Sequence, residues 1–342
     1  MPETAQPDTP YESFLKPDSP EPAPAESIEE FVRQIKDTAD KLVTDGANRG
    51  DAKLLAMAIK ELRHCFRVFG KYRGIRKATV FGSARTPTDH PAYQVCVEFS
   101  RKIVEQGWMV ITGAANGIME AGHVGAGRDA SFGLNIMLPF ESSANPVIFG
   151  DSKLMNLRYF FTRKLAFIKE SDAVVLFPGG FGTHDEAFET LTLIQTGKSH
   201  VFPIVLVDEP GGTYWTRWQQ FVREDLLDRG YIGPQDLHLY KITDSPEEAV
   251  NEVVQFYKRY QSMRYIGGDL ILRLRNPLSE ATLEELRLNF TDILSGGTFE
   301  QCGALPAESN EPLLRDLPRL KFRFNRHDQG RLRQLIDAIN RA

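Results

Sequence analysis

The stretch Ser171-Asp-Ala-Val-Val-Leu-Phe-Pro-Gly-Gly-Phe-Gly-Thr-His-Asp-Glu-Ala-Phe-Glu189 decides the fold. Ala173–Phe177 is a short, uninterrupted apolar run with the length and composition of a strand buried on both faces. The run breaks at Pro178 and passes through Gly179, Gly180 and Gly182, which let a ligand approach the main chain closely. Thr183 is a candidate N-cap for the helical pattern that follows. Strand, glycine turn and helix N-terminus in that order form an anion site, most often for phosphate. Glu186 and Glu189 stand three residues apart and share one helix face, Glu186 in the first turn. The helix dipole alone accounts for one such acid. Two acids beside a phosphate cradle suggest contact with a ribose, where a carboxylate binds hydroxyls, orients water or stabilises an oxocarbenium-like C1′.

Outward from this stretch the pattern alternates between strand and helix. Strands are expected at Lys77–Phe81, Trp108–Thr112, Phe132–Leu138 and Val201–Val207, with Lys153–Phe160 extended. Helices are expected at Pro91–Gln106, Ile118–Arg128, Thr162–Lys169, Thr213–Asp228 and Pro246–Tyr260. Such alternation signals an α/β fold, a Rossmann-like doubly wound parallel sheet flanked by helices, over residues 75–262. Ligands of such sheets sit at the carboxyl ends of the strands. Three of these ends carry small turns, Gly82-Ser83, Gly113-Ala114 and Pro178–Thr183, and the ligand is placed there. Residues 1–25 are rich in Pro, Glu, Asp and Ser and read as a disordered tail. Residues 26–74 form a helical extension with amphipathic helices at Ser27–Asp45 and Asp51–Val68, whose apolar faces must pack on the core or on another subunit. Residues 263–342 read as a small α+β appendage. Its strands are expected at Asp269–Leu274 and Leu320–Phe324 and its helices at Leu278–Leu294 and Gly330–Ile339, with Ser295–Asp316 as a loop.

Composition narrows the function. At 342 residues the chain has room for about two domains. A net charge of −5 without a basic cluster argues against nucleic acid as the main partner. Cys65, Cys96 and Cys302 are widely separated, so neither a disulfide framework nor a zinc site is expected and a reducing, cytoplasmic setting fits. No secretory pattern is visible, and no apolar run approaches the roughly 18 residues of a membrane helix. The histidines show no metal-ligand spacing; His184, at a helix start, is expected to be merely exposed. The glycine turn lacks the Gly-Lys-Ser/Thr of a P-loop, and no Gly-x-Gly-x-x-Gly follows the first strand. That argues against nucleoside triphosphate hydrolysis and against NAD or FAD chemistry, leaving a mononucleotide or sugar phosphate. Arg163-Lys164, just upstream, offers a guanidinium that binds phosphate in a fork or stabilises charge on a leaving base.

Pro178-Gly179-Gly180-Phe181-Gly182-Thr183-His184-Asp185-Glu186-Ala187-Phe188-Glu189 resembles the PGGxGTxxExxE signature of the LOG ("lonely guy") family, cytokinin riboside 5′-monophosphate phosphoribohydrolases long mislabelled as lysine decarboxylases. Phe161-Thr162-Arg163-Lys164 is similar to the family's Met-x-x-Arg-Lys segment. Phe81–Ala84 is similar to its first Gly-Ser turn and Thr112–Met119 to its second glycine-rich turn. The resemblance runs over about residues 75–260. It implies a Rossmann-like fold, at least a dimer, and hydrolysis of a nucleoside 5′-monophosphate to free base and ribose 5-phosphate without a cofactor. By motif, Arg163 and Glu186 are the catalytic pair. Gly179, Gly180, Phe181, Gly182 and Thr183 hold the phosphate, and Gly82, Ser83, Gly113, Glu141, Lys164, Glu189 and Thr192 are further substrate neighbours. Ala114-Ala115 replaces glycines of the second turn and Phe161 stands where Met is usual, which leaves the choice of base open. Proteins of similar fold serve as nucleotide or molybdenum-cofactor carriers, and a non-catalytic carrier is the alternative. No lysine sits in a recognisable pyridoxal-phosphate context.

Overall fold

The computed structural model describes residues 27–138, 144–309 and 311–342; the expected tail at 1–25 and the candidate Glu141 lie outside these. The sheet that carries the glycine turn has seven strands: β1 (Lys77–Phe81), β2 (Met109–Thr112), β3 (Ser131–Ile136), β4 (Leu154–Leu157), β5 (Ala173–Leu176), β6 (Ile204–Val207) and β7 (Tyr240–Thr243). Every pairing is parallel, in the order β4-β3-β2-β1-β5-β6-β7. The chain builds outward from β1 to β4, returns to the far side of β1, and builds outward again. The strand order therefore reverses between β1 and β5, and the crevice that such a reversal opens at the strands' carboxyl ends is where α/β sheets bind ligands.

Eight helices precede or alternate with these strands among the described residues: α1 (Ile28–Thr44), α2 (Arg49–Phe69), α3 (Pro91–Glu105), α4 (Ile118–Ala126), α5 (Phe160–Glu170), α6 (Phe181–Gln195), α7 (Tyr214–Phe221) and α8 (Pro246–Phe256). They cover both sheet faces, so every residue of β1, β2, β5 and β6 is buried. This is why β5 and β6 read as continuous apolar runs rather than alternating ones, while β1 and β2 also bury Lys77, Thr79 and Thr112. None of the helices is long and apolar enough to cross a membrane.

The appendage is a four-stranded antiparallel sheet, β8 (Tyr260–Ile266), β9 (Asp269–Leu274), β10 (Leu294–Cys302) and β11 (Arg319–Phe324), in the order β10-β11-β9-β8, with α9 (Glu280–Asn289) and α10 (Gln329–Arg341). Tyr260, expected to end a helix, instead opens β8. The expected loop at 295–316 contains most of β10. That strand escapes a sequence reading because it carries Gly296-Gly297 near its start, breaks register twice and buries only Phe299 fully. The segment after β10 is held by a buried charge cluster. Glu308 Oε1 lies 2.6 Å from Arg273 Nη2, and its Oε2 accepts from Arg319 Nε at 3.1 Å. Burial pushes the Glu308 carboxyl up, but the Leu305 N–H and the two guanidiniums outweigh it and hold it at about 2.

The helical extension reaches the sheet through α2, which buries Ala58, Cys65, Val68 and Phe69. Its Glu61 is also buried: Oε1 accepts the Arg158 N–H at 2.9 Å and Oε2 the Thr162 hydroxyl at 2.6 Å. A carboxylate from α2 thus caps the N-terminus of α5, where the Arg158 N–H would otherwise be orphaned. Helix α1 buries none of its residues, and Ile28, Phe31, Val32 and Ile35 form an exposed apolar stripe.

Candidate functional site

A cavity of about 750 Å³ opens at the β1–β5 reversal. Gly82, Ser83, Gly113, Arg163, Gly179, Gly180, Phe181, Gly182, Thr183 and Glu186 all line it. Lys164 and Glu189 stand beside it, joined by an ion pair of 2.5 Å. Thr192 does not reach it: the residue is exposed, two helical turns beyond Glu186, in a shallow outer groove with Asp185 and Glu189. Among the described residues no group of three or more His, Cys, Asp or Glu could hold a metal ion.

The glycine turn is built for close approach. A Cβ on Gly179 would stand 2.1 Å from Thr183 Oγ1 and 3.0 Å from Ser83 N, so only glycine fits. The Ser83 N–H donates to Pro178 O at 3.1 Å and ties the β1 and β5 turns together. Thr183 is not the cap that its position suggests. Gly180 is extended (φ −88°, ψ −159°) and caps α6; its carbonyl accepts the N–H groups of Thr183 and His184. Helical geometry therefore begins at Phe181, Thr183 is the third helical residue, and its hydroxyl folds over Gly179. The Phe181 and Gly182 N–H groups have no acceptor among the described residues, and they sit at the positive end of the helix dipole. The second turn is tighter. Ala114 takes a left-handed conformation (φ 64°) that costs an alanine about 1–2 kcal/mol. It is held there by Thr112 Oγ1, which accepts its N–H at 2.9 Å, and by the Asn145 N–H, which donates to its carbonyl at 2.8 Å.

The charged groups meet on the cavity wall. Arg163 Nη2 is 3.9 Å from Glu186 Oε1, and Lys164 Nζ is 3.3 Å from Glu186 Oε2 and 3.0 Å from Asp185 Oδ2. The Arg163 guanidinium also stands over the Phe160 ring, 5.2 Å from its centroid. Burial pushes the Glu186 carboxyl above its ordinary range; Lys164 and Arg163 pull it back only in part, and Glu189 adds to the rise. Burial pulls the Lys164 ammonium down, but Glu189, Glu186 and Asp185 outweigh it and leave the group raised, hence charged. A carboxylate that is costly to ionise, a guanidinium at its side and open amides nearby form a site that can hold an anion and stabilise positive charge close to it.

Sequence reasoning assigned no role in the site to five residues. His184 is half-buried rather than merely exposed, lines the cavity and contacts the Tyr214 hydroxyl at 2.7 Å. Tyr214 opens α7, the helix after β6, and carries no motif. Met119, Ile136 and Leu138 supply an apolar wall; of these only Met119 falls within a motif, the second glycine-rich turn.

The sheet with its switch-point cavity defines a Rossmann-like α/β protein with an anion cradle beside a carboxylate–guanidinium pair. Residues 111–253 match the family described as "Possible lysine decarboxylase". The cytokinin riboside 5′-monophosphate phosphoribohydrolase of Mycobacterium tuberculosis is 28% identical over 173 residues, 49% of this chain and 88% of that one. An enzyme of the same name from Arabidopsis thaliana is 30% identical over 101 residues, 30% of this chain and 46% of that one. The resemblance to the LOG family read from the glycine stretch is thus matched by named relatives, and it lies in the sheet domain. The chain spans about half the length of the Arabidopsis relative and of a rice relative. Among solved structures, the molybdenum cofactor binding protein of Rippkaea orientalis is 20% identical with a TM-score of 0.35, covering 52% of this chain and 93% of that one. The molybdenum cofactor carrier protein of Chlamydomonas reinhardtii is 19% identical with a TM-score of 0.34, covering 53% and 97%.

Proposed function

We propose that the protein hydrolyses the N-glycosidic bond of a nucleoside 5′-monophosphate, a cytokinin riboside monophosphate or AMP, to free base and ribose 5-phosphate. The observation that carries this reading is the meeting of Arg163 and Glu186 at 3.9 Å in the cavity that also presents the Phe181 and Gly182 amides. The amides hold the phosphate. Arg163 assists phosphate binding or the departing base, and Glu186 stabilises the ribosyl cation or positions water. Lys164 lowers the cost of ionising Glu186, and Glu189 orients Lys164. A carrier needs the cradle but not the buried acid, so the pair favours an enzyme. Incubation with a panel of nucleoside monophosphates and cytokinin nucleotides, with chromatography of the released base, tests the reading; tight nucleotide binding without release would support the carrier instead.

The same reading includes a cytosolic setting, which suits three free cysteines, and a homo-oligomer. A helix of α1's length is marginal alone in water, so a second copy covering the stripe of Phe31 and Ile35 accounts for it. Light scattering on Phe31→Glu/Ile35→Glu would show a smaller assembly than the wild type; an unchanged mass would refute this arrangement.

A further inference from the structure

We propose that Tyr214 is a positioning residue for the anion-binding turn, its hydroxyl fixing the Gly179–Gly180 peptide so that the turn's donors face the cavity. The inference rests on the phosphate-holding role given to that turn above. The Tyr214 hydroxyl donates to Gly179 O at 2.5 Å. A trans peptide is planar, with its C=O and N–H pointing in opposite directions. Pinning the Gly179 carbonyl toward Tyr214 therefore turns the Gly180 N–H away from it. That N–H has no acceptor among the described residues, and Gly180 lines the cavity. Glycine has no side chain to resist rotation of this peptide, so an external hydrogen bond has to supply the order.

Two further contacts hold the tyrosine itself. Asp208, buried at the end of β6, accepts the Trp215 N–H at 3.0 Å and so anchors the first turn of α7. His184 stacks against the Tyr214 ring at 5.8 Å between centroids, with Nε2 2.7 Å from the hydroxyl. The hydroxyl has one proton, and a carbonyl can only accept. His184 Nε2 must then carry hydrogen and donate to Tyr214 Oη, while Tyr214 donates to Gly179 O. Burial lowers the histidine's pKa, which favours a neutral ring, and within the neutral ring this order selects the Nε2–H tautomer. The contacts form one directed chain from α6 through α7 to the turn.

The test is Tyr214→Phe in the full chain, with binding of inorganic phosphate and ribose 5-phosphate measured by calorimetry. KM and kcat are measured for AMP and, separately, for adenosine. We expect about a tenfold loss of phosphate and ribose 5-phosphate affinity, about 1.4 kcal/mol. KM for AMP should rise by a similar factor with a smaller change in kcat, and cleavage of adenosine, which has no phosphate, should not change. Unchanged phosphate affinity in a folded variant overturns the proposal, as does an equal loss for adenosine and AMP. If the wild type binds phosphate but releases no base from any nucleotide, the hydrolase reading fails while the binding comparison still decides the role of Tyr214. A wild type that binds neither phosphate nor ribose 5-phosphate overturns it outright. Should Tyr214→Phe fail to fold, His184→Leu removes the donor that orders the hydroxyl; a several-fold loss of phosphate affinity is expected there, and none would refute the relay.

Discussion

Arg163 and Glu186 face each other at 3.9 Å from adjoining helices, with side-chain exposures of 15% and 4%. At that distance each biases the other's charge while a third group can still contact both. In the proposed reaction the carboxylate faces charge that develops only in the transition state, so it contributes to rate more than to binding. Glu186→Ala should lower base release from AMP by about 10²–10⁴-fold while leaving the AMP dissociation constant within a few-fold. Single-turnover assays beside calorimetry would separate the two. Unchanged turnover would end the assignment of Glu186.

Glu186 should also leave a mark on stability. Its native pKa lies above the ordinary 4.5, chiefly through burial. The folded state therefore prefers the protonated form, and stability is lost as pH rises from the ordinary value through the native one. Above both values the deficit is complete. Glu186→Gln has the same shape and no charge to desolvate. Its Tm should come to exceed the wild type's as pH rises above 4.5, and the gain should vanish below pH 4.5. A series of calorimetric scans from about pH 4 upward would show the gain growing with pH; a gain independent of pH would mean that packing, not ionisation, is responsible.

Lys164 holds Glu186 Oε2 at 3.3 Å and is bonded to Glu189 and Asp185 as well. Removing it leaves three carboxylates without their shared cation, and it strips away the larger of the attractions that hold the Glu186 carboxyl down against burial. If ionised Glu186 is the working form, Lys164→Met should shift the acidic limb of the kcat profile to higher pH and leave the alkaline limb in place. A pH–rate profile checks this. A uniform fall in rate without displacement of the acidic limb would instead mark Lys164 as a substrate contact.

Glu61 belongs to a segment with no motif, yet it caps the helix that carries Arg163. Glu61→Ala takes the acceptor away from the partly buried Arg158 N–H, costing about 1–3 kcal/mol. The Thr162 hydroxyl keeps Tyr159 O as a partner at 2.9 Å. Base release should fall with stability because the start of α5 loosens one residue before Arg163. Glu61→Gln, which preserves one acceptor, should recover most of both. Urea midpoints and kcat for the two variants are the measurements, and an Ala variant with full activity would detach the extension from the site.

What is legible in the sequence follows physical locality. The buried parallel strands read clearly because a strand covered on both faces is largely apolar, as in Ala173–Leu176. The turn after β5 reads clearly because a proline and three glycines break the apolar run and allow close approach to the main chain. Strand β10 does not, since exposure and glycines at its start erase the alternation. Thr183 misleads because a cap is judged from residue type, whereas here the preceding glycine ends the turn and the helix begins early. Tyr214, Asp208 and Glu61 stay hidden for another reason: each acts across 35, 7 or about 100 residues of chain, and no motif encodes such a contact.

The glycines of the cradle are not equivalent, and this gives the sharpest test of the turn. A Cβ at Gly179 meets Thr183 Oγ1 at 2.1 Å, Thr183 Cβ at 2.8 Å and the Ser83 main-chain nitrogen at 3.0 Å. The threonine can relax only by abandoning its position over the turn, and the Ser83 contact is backbone. At Gly182, by contrast, an added methyl would meet nothing within 4 Å, and the residue lies in helical geometry. Alanine there should hold the fold and gain up to about 1 kcal/mol from reduced chain entropy. Gly179→Ala should therefore lower Tm and weaken ribose 5-phosphate binding by at least about tenfold, roughly 1.4 kcal/mol. Gly182→Ala should keep or raise Tm, and any loss of binding there reports the methyl's intrusion on the anion alone. Thermal scans with and without ribose 5-phosphate distinguish the cases: the ligand-induced rise in Tm should disappear for Gly179→Ala. Equal behaviour of the two variants would show that the turn's shape does not depend on the absence of a side chain at Gly179.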